Sequence, residues 1–100
     1  MMLYAISGAD VTDSLSGRKQ ARTAHLDRIA TLRGAGRLVL AGPHPAIDST
    51  EPGESGYTGS LIIAEFPSLD AAIVWASADP YMAAGVWSKV TVKPFIQVAP

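Results

Sequence analysis

Arg18, Arg22 and His25 follow one another at helical spacing on one side of the segment that runs from Arg18 to Arg33. The apolar stripe of that segment is Leu26, Ile29, Ala30 and Leu32. At about 100° per residue, the three polar residues lie within about 60° of the stripe's axis. A helix that only packs would carry apolar side chains there. Cationic and titratable groups on the inward side predict a polar pocket at one end of a hydrophobic core. Imidazole suits proton transfer near neutral pH, and arginine can grip an anion through paired hydrogen bonds. Asp79, held by the following Pro80, is the acid that stands out. A carboxylate that accepts from one imidazole nitrogen fixes the tautomer and strengthens the other nitrogen as a base. The plainer alternative makes His25 a core-margin residue bonded to a backbone carbonyl and Asp79 a turn residue at a helix end.

Other candidates are weaker. Arg22 is preferred over Arg18 as a substrate contact, although arginines of a first helix often lie along the surface with only the stem buried. Gly59-Ser60 sits inside a strand, where glycine marks a bulge or a close backbone approach. Ser60 has no adjacent base and no nucleophile elbow, so it is expected to hydrogen-bond a ligand rather than attack it. His44 lies in Gly42-Pro43-His44-Pro45, but two histidines without ligand spacing make a poor metal site. Tyr81, Trp75 and Trp87 read as core or interface residues. No glycine pattern resembles a phosphate loop or a dinucleotide fingerprint.

The elements that must position these residues can be placed from periodicity and punctuation. Met2 to Ser7 reads as a strand ending at Gly8, and Asp13 or Ser14 as the cap of a helix that runs to about Arg33 and stops at Gly34-Ala35-Gly36. Arg37 to Gly42 is the second strand. Pro43 to Gly56 is a long loop with three prolines and three acids, of the kind that covers a site. Tyr57 to Phe66 is the third strand. Ser68 caps a second helix with Leu69, Ala72, Ile73 and Ala76 on one face and Trp75 beside it, ended at Asp79-Pro80. Tyr81 to Trp87 is a compact turn. Lys89 to Val98 is the last strand, with Pro94 marking an edge or a bulge.

That order is an α+β ferredoxin-like βαββαβ sandwich: a four-stranded antiparallel sheet with two helices on one face. Strands one and three are apolar on both faces, so the uncovered face predicts a homodimer closed face to face. Whether His25 and Asp79 meet is harder. Strands one and three are expected to run parallel, so both helices start at one sheet edge and Asp79 lies at the other. His25, about two turns in, narrows that gap without closing it.

Composition sets the outer limits. One hundred residues suit one domain and one core, and 48% hydrophobic residues leave apolar surface for a partner. A net charge of −1 argues against nucleic acid binding. Without cysteine there is no disulfide and no thiolate chemistry, which suits the cytoplasm. No apolar run approaches the roughly 20 residues of a membrane span, and the N-terminus lacks the basic leader of a signal peptide.

The chain resembles the YciI-like (YCII-related) family. The resemblance rests on Arg22-Thr23-Ala24-His25-Leu26, Ala41-Gly42-Pro43, Gly59-Ser60, Asp79-Pro80-Tyr81, Ala84-Gly85-Val86 and Val92-Lys93-Pro94-Phe95, in that order. It covers almost the whole chain. It implies a single domain over residues 1–100, a dimeric α/β barrel, and a pocket lined by His25 and Asp79, the contact that direct counting leaves open. Some relatives act in aromatic degradation as dehalogenating lyases or isomerases. The expected function is therefore proton transfer by a cofactor-independent lyase, isomerase or hydrolase on a small molecule. His25 and Asp79 are the catalytic pair, and Arg22, Ser60 and Tyr81 bind substrate. No metal and no cofactor are expected. The alternatives are a non-catalytic metabolite-binding or accessory module, or a cofactor-free oxygenase of the same architecture.

Overall fold

A computed structural model describes residues 1–100. The chain forms β1 (Met2–Asp10), α1 (Leu15–Gly34), β2 (Leu38–Pro45), a 3-10 turn (Gly53–Ser55), β3 (Tyr57–Phe66), α2 (Leu69–Ser77), α3 (Pro80–Ala83) and β4 (Trp87–Phe95). The four strands form one sheet in the order β2-β3-β1-β4, and every neighbouring pair is antiparallel. This is the expected α+β sandwich.

Period-2 alternation divides the sheet into two faces. Tyr4 and Ile6 of β1 and Ile62, Ala64 and Phe66 of β3 point under the helices and are buried. Leu3 and Ala5, with Leu61 and Ile63, point the other way. Ala72 and Ala76 of α2 are fully buried, and their small side chains let that helix lie close on the sheet. Ser68 caps α2 as expected, its hydroxyl accepting from the Ala71 amide at 3.1 Å. Both outer strands carry proline: Pro43 and Pro45 in β2, Pro94 in β4. An edge strand tolerates the missing donor.

Several expectations need correction. β1 and β3 are antiparallel, not parallel, with Met2 opposite Phe66. Therefore α2 ends at the sheet edge where α1 begins. α1 also bears a different face on the core. Arg18, Ala21, His25 and Leu32 are buried, while Leu26 is 45% exposed and Ala30 is exposed. Paired polar groups displaced part of the apolar stripe from the interior. Neither Asp13 nor Ser14 caps α1 with its side chain; the Ser14 hydroxyl turns to Asp10 instead. β2 runs on to Pro45, so the connection shrinks to residues 46–56 and includes the 3-10 turn. The expected turn after Asp79 contains α3, and β4 starts two residues earlier than expected and ends at Phe95.

Candidate active site

Asp79 is the N-cap of α3, with Pro80 at the first helical position. Its backbone is extended, at ψ 136°, as the following proline requires. One carboxylate oxygen accepts from the Tyr81 amide at 2.9 Å. Gly85 ends the segment with φ 71°, and the Val86 amide donates back to the Tyr81 carbonyl at 2.9 Å. Local chemistry thus anchors Asp79 before any distant contact is considered.

Distance along the elements then brings the partners together. His25 lies ten residues into α1, about 15 Å down from one sheet edge. α2 has nine residues and climbs only about 13 Å from the opposite edge before Asp79. The two meet at mid-height. His25 Nδ1 lies 2.9 Å from each Asp79 carboxylate oxygen, and both residues are buried. A carboxylate only accepts, so the proton belongs on Nδ1 and Nε2 keeps its lone pair. Nε2 makes no hydrogen bond within the chain and is not sealed from solvent.

The ring is held on two further sides. Tyr81 stacks on it at 4.0 Å and 11°, and Trp87 meets it edge-on at 5.7 Å. Arg28 stands behind the carboxylate. Its Nη1 is buried, lacks a hydrogen bond and lies 3.6 Å from Asp79 Oδ2. Its Nη2 donates to the Trp75 carbonyl at 2.7 Å, and its guanidinium stacks on the Trp75 ring. Burial pushes the Tyr81 phenol up, outweighing Arg18 and Arg22, whose charges pull it down; Asp79 adds to the upward push. The phenol therefore stays neutral near pH 7.

A second buried network lies one helical turn and more toward the start of α1. Arg18 grips Asp10 through Nε at 2.7 Å and Nη2 at 2.8 Å. Ser14 donates to the same carboxylate at 2.5 Å. Arg18 Nη2 also donates to the Gly59 carbonyl at 3.1 Å and to Ser60 Oγ at 2.9 Å. This paired arginine is a brace for β1, α1 and β3 rather than a free anion site. Its guanidinium lies over the Tyr57 and Tyr81 rings at 4.9 and 5.0 Å.

Both networks open onto one cavity of about 810 Å³ between α1, β2, β3 and the 3-10 turn. His25, Arg22, Ser60 and Tyr81 all line it. Arg22 is exposed and makes no ion pair. The preference for Arg22 over Arg18 undervalued Arg18 as a structural element, and Asp10, Arg28 and Tyr57 were missed. Asp10 left one signal, its spacing of four and eight residues from Ser14 and Arg18, but it ends a strand, where helical spacing is no guide. His44 lies in β2 opposite Gly59 and is exposed. No group of three His, Asp or Glu comes together to hold a metal ion.

Comparison with known proteins adds to this geometry. The YCII-related domain family matches residues 2–96. Protein YciI of Escherichia coli is 57% identical over 97 residues, 97% of this chain and 99% of the relative. An uncharacterized protein of Haemophilus influenzae is 47% identical over the same shares of both chains. Among solved structures, the chain is similar to 5-chloro-2-hydroxyhydroquinone dehydrochlorinase from Burkholderia phenoliruptrix in complex with 2,5-dihydroxybenzoquinone. That likeness has a TM-score of 0.80 and 27% identity, and covers 95% of this chain and 94% of the other.

Proposed function

The chain belongs to the YCII-related domain family, and from that premise we propose that it is a small-molecule enzyme in which His25 and Asp79 carry out proton transfer. The observation that carries the reading is the His25 Nδ1 contact with both Asp79 oxygens, made by a residue that lines the cavity. His25 Nε2 takes a proton from the substrate, and Asp79 stabilises the imidazolium that forms. In an isomerisation the proton returns to another atom of the substrate. In an elimination the leaving group departs with its bonding electrons and the proton passes to solvent. In a hydrolysis the same nitrogen activates water.

Ser60, Tyr81 and Arg22 hold an oxygen-bearing substrate. The Ser60 hydroxyl is oriented by Arg18, and the Tyr81 phenol is kept neutral and able to donate. Arg22 supplies a charge that nothing in the chain neutralises. The residue 46–56 connection flanks the cavity through Gly53 and Glu54. We take the working molecule to be a single-domain, cytoplasmic homodimer joined through the open sheet face. No cofactor is needed for the proposed step.

The Burkholderia neighbour is a dehydrochlorinase in complex with 2,5-dihydroxybenzoquinone, so chlorinated and hydroxylated six-membered rings are the first compounds to offer. Turnover should fall by about 10²-fold or more in His25→Ala and in Asp79→Asn, with the melting transition retained. Undiminished turnover in His25→Ala would rule the dyad out. Stabilisation by a ring ligand that is never converted would favour the metabolite-binding module.

A further inference from the structure

The cavity is far larger than a single ring. A void of about 150 Å³ holds benzene, and this one measures about 810 Å³. Its lining is also segregated along α1. After Leu15, the first turns present Arg18, Lys19, Arg22 and His25. The next turns present Leu26, Ile29 and Ala30, faced by Leu38 and Ala41 of β2. Leu26 and Ala30 are exposed. Single exposed apolar residues are ordinary, but a continuous apolar wall leading out of a polar pocket is a feature of ligand sites.

Charge marks the two ends of this wall. Lys19, Arg22 and Arg33 line the cavity without an ion pair in the chain, and Glu54 is the one acid among the lining residues. Arg18 contributes no free charge because Asp10 neutralises it. Arg22 stands one turn from His25. Arg33 lies eleven residues further along, about 16 Å from Arg22.

We propose that the substrate is an amphiphile, with an anionic, oxygen-bearing head beside His25 and Arg22 and an apolar extension along Leu26, Ile29, Ala30, Leu38 and Ala41. The inference rests on the reading of His25 and Arg22 as the reacting end of the cavity, and it names the class of molecule that end receives. Burial of each methylene against the wall strengthens binding until the extension reaches Arg33.

The test uses benzoate and its para-alkyl derivatives of increasing chain length as probes of the full chain, with affinity read by calorimetry. Each added methylene should tighten binding about two- to fourfold until the arm is full. Ala30→Trp fills the arm from an exposed helical position and should return every member to the affinity of benzoate. Arg22→Ala should weaken all members by a similar factor. Affinity independent of chain length, chain-length dependence that survives Ala30→Trp, or uncharged para-alkyl benzamides binding as tightly as the acids would each overturn the proposal. His25→Ala separates the two readings. Proton transfer fails if that variant keeps full turnover, whereas the probe series decides the substrate class whatever the turnover result.

Discussion

Asp79 accepts from His25 and from the Tyr81 amide while lying beside the half-buried Arg28 guanidinium, so its substitutions should separate by chemistry. Asp79→Asn keeps the α3 cap but, being neutral, takes away the counter-charge beside Arg28, so it should lower stability, though less than Asp79→Ala. Asp79→Ala removes the same counter-charge and the cap as well, so it should cost about 1 kcal/mol more than Asp79→Asn. Urea unfolding measures both. Tyr81 gives a pH prediction. Its folded pKa is raised by burial above the usual value of about 10. The stability this proton provides is intact below that value and is lost as pH rises through the higher folded value. Tyr81→Phe should therefore flatten the alkaline fall in stability, as followed by urea unfolding at increasing pH. His25 and Asp79 were legible as candidates because a histidine on a core-facing stripe and an Asp-Pro pair are locally unusual. The Asp10–Arg18 pair was not, because it joins a strand end to a helix and no local periodicity links them.

The elements set the distances. α2 has nine residues, and that shortness puts Asp79 at the height of His25. Element order, the Ser68 cap and the third strand could all be read from punctuation and period. The rotation of α1 could not, because Arg18 and His25 become core residues only through Asp10 and Asp79, which lie on other elements. β1 and β3 pair antiparallel, not parallel, and this removes the apparent gap between the dyad's members. Gly8 is a further constraint at this scale. A Cβ there would overlap the Trp87 ring, which packs edge-on against both His25 and Tyr81. Gly8→Ala should cost about 1–3 kcal/mol and alter the near-ultraviolet circular dichroism of Trp87. An unchanged spectrum and melting transition would show that the ring is not held by this approach.

The whole molecule has one covered and one bare sheet face. Leu3, Ala5 and Leu61, all half-buried, surround the buried Ile63 at the apolar centre of the face opposite the helices. A second copy is the proposed cover, because an apolar sheet centre is self-complementary about a two-fold axis. Leu61→Glu should place a charge in that interface while leaving α1, α3 and the dyad untouched. Sedimentation equilibrium should give twice the chain mass for the wild type and the chain mass for the variant. A monomeric wild type would remove the dimer from the account. The bare face was legible in the two-sided apolar pattern of β1 and β3, whereas the size of the cavity was not, because it is a gap between α1 and β2 that no single segment encodes.

The central claim is an oriented imidazole with its basic nitrogen free, and nitrogen-15 NMR of labelled histidine tests it without a substrate. In the neutral ring, His25 should carry its proton on Nδ1, slowed in exchange by the bond to Asp79, and Nε2 should be unprotonated. Asp79→Asn should abolish that preference. A proton found on Nε2 in the wild type, or a tautomer balance unmoved by Asp79→Asn, would contradict the account.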